Sequence, residues 1–318
     1  MNSQHLSLSN IEQAASLIDP VFLNSPQYFD EELCAALGRR VLVKVETANP
    51  IRSFKGRGAD FFVRGFETNR KAVCASAGNF GQAIAYAGRS RGIPVEVFAA
   101  TDVNPVKLAR MKALGAEVTL VGSDFDAAKE HARSYVAQNT DCVFVEDGED
   151  PAISEGAGTI GIELLREGNL DAIVVPVGDA ALITGIACWV KNRSPRTRII
   201  GVCPKGAPAM AESWRAGRMI TTENVDTIAD GIYVRVPVPT AVERMKGLVD
   251  DMVLVSEESL LDAMRLAATT LGLLLEPSGA AGLAAIREHE LPGDRIATIL
   301  TGSNVHPALI GKVLAPAS

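Results

Sequence analysis

Lys55 stands between Phe54 and the Gly56-Arg57-Gly58 triplet, in the run Asn49-Pro50-Ile51-Arg52-Ser53-Phe54-Lys55-Gly56-Arg57-Gly58. A solvated lysine gains nothing from such neighbours. A lysine that must bond covalently to a flat cofactor does, because an apolar ring beside it and glycines behind it leave space for a planar group. Burial disfavours the charged ammonium, and only the neutral amine is a nucleophile. Lys55 is therefore expected to be a nucleophilic amine that carries a planar cofactor as a Schiff base.

Three more segments could do chemistry beside it. Ser76-Ala77-Gly78-Asn79-Phe80-Gly81 follows the apolar run 71–75 and opens a helical pattern. Free N–H groups and the helix dipole favour an anion there, and Ser76 and Asn79 add side-chain donors. A substrate carboxylate fits, and Asn79 could reach a phenolate oxygen. An ordinary N-cap serine with a Gly-Asn turn would read the same way. Gly178-Asp179-Ala180-Ala181-Leu182 follows another apolar strand, and its small residues let the backbone wrap a phosphate. A tight turn that binds nothing is the alternative. Thr301, in Leu300-Thr301-Gly302-Ser303-Asn304, offers a neutral hydroxyl that could meet a ring nitrogen; a helix cap would look alike.

The elements that must position these groups are short Val/Ile-rich runs alternating with helical patterns. Strands are expected at 40–45, 71–75, 94–99, 117–121, 141–146, 172–177, 198–202, 251–255 and 295–300. Helices are expected at 81–91, 106–114, 124–138, 158–166, 183–191, 257–271 and 280–289. Such alternation implies βαβ units and parallel sheets covered on both faces. Three of the four segments then lie at strand carboxyl ends, where open α/β sheets bind ligands. Two anion cradles, a neutral hydroxyl and an amine together match pyridoxal 5′-phosphate carrying an amino acid.

Composition narrows the alternatives. The 318 residues give room for two domains, and the net charge of −7 without a dense Lys/Arg tract argues against nucleic acid as partner. Cys34, Cys74, Cys142, Cys188 and Cys203 are scattered and odd in number, so reduced thiols in a cytoplasm are expected, with no disulfide framework or zinc site. The polar N-terminus does not read as a signal peptide, and no apolar run reaches the roughly 18 residues of a membrane span. Residues 147–158, rich in Gly and acidic side chains, read as a crossing between domains.

These motifs resemble the fold-type II pyridoxal-phosphate enzymes, and within them the serine/threonine dehydratases. The likeness runs from about Pro20 to Val313 through NPIRSFKGRGA, SAGNFGQA, EGAGTIGIE, PVGDAALITGI, TIADGI, EPSGAAGLAA and LTGSN, in the family's order. It implies an α/β, tryptophan synthase β-like architecture of two open twisted, mostly parallel sheet domains flanked by helices. Residues 1–62 and 149–318 would form the large cofactor-binding domain, and residues 63–148 the small substrate-closing one. By position the resemblance makes Lys55 the Schiff-base lysine, with Phe54 beside it and Asn79 near the cofactor's 3′-hydroxyl. It makes Ser76, Ala77, Gly78, Asn79 and Phe80 the substrate-carboxylate loop. Gly178, Asp179, Ala180, Ala181 and Leu182 become the phosphate loop, and Thr301 the hydroxyl at the pyridine nitrogen. A homodimer without a C-terminal regulatory domain is the form it implies.

The chain departs from the family at several points. Many relatives have four glycines where Gly178-Asp179-Ala180-Ala181 stands; a carboxylate there would repel a phosphate unless Asp179 points away, and alanine tolerates positive φ poorly. Related racemases have serine at the position of Ala77, so lyase chemistry is favoured. Cys203 and Ala209 occupy positions where some relatives have metal-binding carboxylates, so no metal is expected there. Phe80 replaces a histidine of several relatives and could admit a larger β-substituent or fill the small domain's core. Glu276-Pro277-Ser278-Gly279 is as consistent with packing as with catalysis, Arg57 could order the lysine loop, and Asp230-Gly231 reads as a turn.

The expected activity is β-elimination from a β-hydroxy-α-amino acid to a 2-oxo acid and ammonia. A β/γ-replacement synthase on the same fold is the alternative, although no Lys/Arg cluster for a second phosphate is visible. A catalytically silent relative is a third reading, supported only by the altered phosphate loop.

Overall fold

The structure, a computed structural model, describes residues 5–314. Its strands are β1 (Gln27–Phe29), β2 (Arg40–Val45), β3 (Lys71–Ala75), β4 (Val95–Ala99), β5 (Glu117–Leu120), β6 (Cys142–Phe144), β7 (Ala172–Pro176), β8 (Arg198–Pro204), β9 (Asp251–Val255) and β10 (Arg295–Leu300). The α-helices are α1 (Leu8–Leu17), α2 (Glu31–Leu37), α3 (Lys55–Val63), α4 (Asn79–Arg89), α5 (Pro105–Ala113), α6 (Phe125–Gln138) and α7 (Pro151–Leu164). They continue with α8 (Ala181–Arg193), α9 (Ala209–Ala216), α10 (Pro239–Met245), α11 (Glu257–Thr270), α12 (Pro277–Glu288) and α13 (Pro307–Leu314).

The strands form two sheets. The larger has the order β1-β2-β10-β7-β8-β9 and is parallel except for β1, which pairs antiparallel with β2. The smaller has the order β5-β4-β3-β6 and is wholly parallel. Alternation along each strand divides the cores. Val41, Val43, Val45, Val174 and Val202 face a layer containing Leu260, Met264, Leu283 and Leu309, whereas Leu42, Ile173, Val175, Ile199 and Ile299 face Ile160, Ile183, Ile186 and Met245. Helices therefore cover both faces of the larger sheet, which is why its strands are apolar throughout.

Each sheet has one point where the chain reverses its direction of strand addition. In the larger sheet it lies between β7 and β10; in the smaller, between β3 and β6. Loops leaving neighbouring strands at such a point splay apart and open a crevice. Those four loops carry residues 176–182, 301–304, 76–79 and 145–150, and members of all four line one cleft.

All nine strands expected from sequence are present; β6 is three residues shorter than expected, β8 two residues longer, and β4, β5 and β7 are each trimmed by one. The short β1 lies outside that reading, as do α1, α2, α3, α9, α10 and α13. α7 starts at Pro151, so the acidic stretch 147–158 is mostly the first half of a buried helix rather than a linker. α3 is the consequential difference. Its first residue is Lys55, and its sequence, with two glycines and no apolar period, is a poor helix signal. Tertiary contact holds it. A Cβ on Gly56 would fall 2.2 Å from the Phe22 ring, and one on Gly58 would fall 2.5 Å from the Ile153 carbonyl of α7. The glycines beside Lys55 thus give room to Phe22 and α7, not to a cofactor ring as their spacing suggested.

Candidate active site

Lys55 enters the cleft from the first turn of α3. The segment before it is tied to the loop after β10: Phe54 N–H donates to the Thr301 carbonyl at 3.1 Å, and Ser303 N–H to the Arg52 carbonyl at 3.0 Å. Nζ of Lys55 forms an ion pair with Asp147 and lies over the Phe54 ring, 4.7 Å from its centroid, with the Phe80 ring at 5.9 Å. The amine is thus not isolated among apolar groups, as its neighbours in sequence led one to expect. A carboxylate from the loop after β6 meets it.

Behind the lysine, Arg57 is fully buried. Its guanidinium bonds Glu46 through Nε and Nη2 at 2.9 and 2.8 Å, and Glu163 through Nη1 and Nη2 at 2.7 and 2.9 Å. Lys44 Nζ lies 2.5 Å from Glu163. Two cations and two carboxylates balance here, and each fork is bidentate, the geometry in which burial of charge is best repaid. Burial raises the Glu163 carboxyl, but its Arg57 hydrogen bonds and the charges of Arg57 and Lys44 outweigh this and hold it at about 2. Arg57 anchors the lysine helix from beneath.

The loop at residues 178–182 lies across the cleft. Among the described residues none of its five N–H groups has a protein acceptor; the first helical bond of α8 runs from Thr184 N–H to the Ala180 carbonyl at 3.0 Å. A row of unpaired N–H groups at a helix N-terminus is an anion cradle. Ala180 adopts φ +64°, the left-handed conformation, at the N-cap of α8. The expected strain is therefore present and is confined to one residue. Ala180→Gly should stabilise the protein by roughly 0.5–1 kcal/mol, the relief of the Cβ clash exceeding the added freedom of the unfolded chain. A urea midpoint that stays put or falls would contradict this.

Asp179 lines the cleft beside that cradle and is 9% exposed, and its Oδ1 has no hydrogen-bond partner. Burial pushes its carboxyl up to about 7; Asp147 and Glu146 push the same way, against Lys129 and Lys55. The free N–H row of the loop is what fits a phosphate, and the Asp179 carboxyl stands beside it.

The second cradle is the start of α4. Ser76 is buried, and its Oγ accepts from the N–H groups of Gly78 and Gly81 at 2.8 and 2.9 Å. The hydroxyl oxygen thus shapes the loop, leaving its hydrogen to donate. Gly78 takes φ +138°, and the N–H groups of Ala77, Asn79 and Phe80 have no acceptor among the described residues. Asn79 donates from Nδ2 to Glu276 Oε1 at 2.5 Å and accepts at Oδ1 from Asn304 at 2.9 Å. Phe80 is 6% exposed, packs in the small-sheet core with Ile84 and Met111, and also lines the cleft, so both of its expected environments are real. Thr301, also buried, donates from Oγ1 to the Ser278 carbonyl at 3.3 Å.

All the residues expected from sequence to form the site meet in this cleft of about 920 Å³. Others meet there without a sequence signal. Lys107, fully buried on α5, donates to Asp230 at 2.6 Å and lies 3.1 Å from Glu276. Burial disfavours its charge, but Asp230 and Glu276 prevail and its pKa is raised. Asp230 is therefore an ion-pair partner as well as part of a turn. Lys129 on α6 pairs with Asp126 and Glu146 at 3.4 and 3.5 Å. Away from the cleft, Cys203 Sγ donates to the Val177 carbonyl at 3.6 Å, and Ala209 opens α9. Among the described residues no helix is long and apolar enough to cross a membrane.

Residues 22–302 match the family described as pyridoxal-phosphate dependent enzymes. The chain belongs to that family. Its cofactor is pyridoxal 5′-phosphate, and it has the fold-type II architecture. It is 32% identical over 314 residues to an L-threonine ammonia-lyase of Thermotoga maritima, an alignment covering 97% of this chain and 78% of that one. It is 31% identical to a serine racemase of Oryza sativa subsp. indica, covering 96% and 93%. The solved structure of the processed form of threonine deaminase isoform 2 from Solanum lycopersicum superposes with a TM-score of 0.86 at 30% identity, covering 98% of this chain and 95% of that one. The enzyme spans about half the length of several plant threonine dehydratases that it also matches.

Proposed function

We propose that this enzyme is an ammonia-lyase that eliminates water from a β-hydroxy-α-amino acid such as threonine, serine or a 3-substituted serine, releasing a 2-oxo acid and ammonia. One observation carries the proposal: the amine of Lys55, held by Asp147, enters a cleft flanked by two separate sets of unpaired N–H groups, one at each sheet's switch point. In this reading the N–H row of Gly178, Asp179, Ala180, Ala181 and Leu182 holds the cofactor phosphate. Phe54 flanks the ring, Asn79 serves its 3′-hydroxyl, and Thr301 faces its nitrogen. Ser76, Ala77, Gly78, Asn79 and Phe80 receive the substrate carboxylate at the start of α4.

Bound there, the cofactor supplies an electron sink for charge developing at the substrate Cα. Lys55, once its nitrogen is neutral, takes the Cα proton at Nζ. Thr301 is an uncharged hydroxyl, so it does not supply a full charge to its partner and favours elimination over transamination. Ala77 has no proton to give from the opposite face, which separates this site from that of a racemase. The smaller sheet, with residues 63–148, is assigned as the unit that closes on the substrate. The same chemistry would serve a β/γ-replacement synthase, but every lysine of the cleft already has a carboxylate partner, leaving none for a phosphorylated substrate.

The test is to incubate the purified enzyme and cofactor with serine, threonine, 3-phenylserine and 3-hydroxyaspartate, measuring 2-oxo acid and ammonia together. Equal amounts of both from at least one of the neutral substrates are expected. Turnover only on addition of a thiol or other nucleophile would replace the lyase reading with a replacement synthase.

A further inference from the structure

The cleft is short of cations. Its carboxylates are Glu146, Asp147, Asp179, Asp230 and Glu276, and its ammonium groups are Lys55, Lys107 and Lys129. Lys107 serves two of the carboxylates at 2.6 and 3.1 Å, Arg133 from outside the cleft holds Glu146 at 2.8 Å, and Lys129 is shared among Glu146, Asp126 and the more distant Asp179. Among the described residues Asp179 has no cation within ion-pair distance, only the more distant charges of Lys129 and Lys55, and Asp147 is paired with Lys55. Both aspartates are more than nine-tenths buried, and each keeps one oxygen, Oδ1, without any partner. A nearly buried carboxylate without its cation is costly, and removing the partner of such a pair is more so.

Lys55 cannot remain an ammonium on Asp147 and also be the neutral amine that the lyase reading requires. Committing its nitrogen to chemistry leaves two acidic side chains facing one cleft. The Lys55 ammonium also shows what the niche accepts: a primary ammonium against Asp147, over the Phe54 ring and within 5.9 Å of the Phe80 centroid. An anionic substituent would find no free cation there, and a neutral one would leave the aspartates unpaired.

We propose that the β-substituent of the substrate carries a second, protonated amine, received by Asp147 and Asp179. The inference rests on the lyase reading for the reaction but can be tested without turnover. Both 2-aminobutyrate and 2,4-diaminobutyrate lack a β-hydroxyl and differ only by the terminal amine. Calorimetry with the cofactor-loaded enzyme should show the diamino acid binding about tenfold more tightly or better at low salt, the worth of one charge-assisted hydrogen bond. The advantage should shrink with salt and disappear in Asp147→Asn/Asp179→Asn. Equal or weaker binding of the diamino acid, or an advantage that survives in the double variant, would overturn the proposal. In turnover, 4-aminothreonine should exceed threonine in kcat/KM, and 3-hydroxyaspartate should fall below it. If threonine is dehydrated but the diamino acid has no binding advantage, this inference fails and the lyase reading stands. If the diamino acid binds better yet no β-hydroxy amino acid yields a 2-oxo acid, the lyase reading fails and the amine site stands.

Discussion

Lys55→Ala should lose elimination activity by roughly 10³-fold or more, since in the proposed reading it removes both the group that bonds the cofactor and the base that takes the Cα proton. Its visible absorbance should change as well, because the covalent link between cofactor and protein is gone. The fold should survive. The Lys55 side chain reaches into the cleft, and its one polar partner is Asp147. Residual cofactor binding should survive too, since the N–H row at residues 178–182 is backbone between β7 and α8 and does not depend on the Lys55 side chain. The measurements are single-turnover rates and the absorbance spectrum of the dialysed protein, beside its circular dichroism. A variant that keeps the wild-type covalent band would show that another amine carries the cofactor. A folded variant with near-normal turnover would remove Lys55 from proton transfer.

How the sequence announced this site follows from which forces built it. The strands were legible because buried parallel strands are continuous Val/Ile runs, as in Ala172-Ile173-Val174-Val175. The loops at Ser76, Gly178 and Thr301 were legible because each follows such a run. α3 was not: Lys-Gly-Arg-Gly contradicts helix propensity, and the helix exists because Gly56 and Gly58 let Phe22 and α7 approach. Asp147 was hidden in an acidic stretch where a solvated loop reads the same as a buried ion pair. Lys107, Asp230 and Glu276 lie more than forty residues apart in sequence at every step, so only tertiary structure could bring them together. The strain expected at the altered phosphate loop was placed correctly in the loop, and the structure assigns it to Ala180.

The other large effect is expected far from the chemistry. Arg57→Met should destabilise the protein by roughly 3–5 kcal/mol, the cost of leaving buried charge without its partner. The methionine fills much of the volume but leaves Glu46 and Glu163 in the interior with only Lys44 to balance them. Against a total stability of about 5–15 kcal/mol, such a loss is a large fraction, and at the low end of that range it approaches the whole. Arg57→Lys should cost less, because the charge stays and only the two forks are lost. The pH dependence gives a separate readout. Glu163 is held at about 2 in the folded protein against an ordinary 4.5, so its contribution is fully present above pH 4.5. It is lost as pH falls from 4.5 toward 2, where the folded carboxylate also takes a proton. In Arg57→Met the chief group holding Glu163 down is gone, so the acid-side slope of stability in that window should flatten. Urea midpoints at several pH values from 2 to 7 measure both effects. An unchanged midpoint at pH 7 would show that Arg57 is not needed to keep Glu46 and Glu163 in the interior, and an unchanged acid slope would show that Glu163 is held down by something other than Arg57.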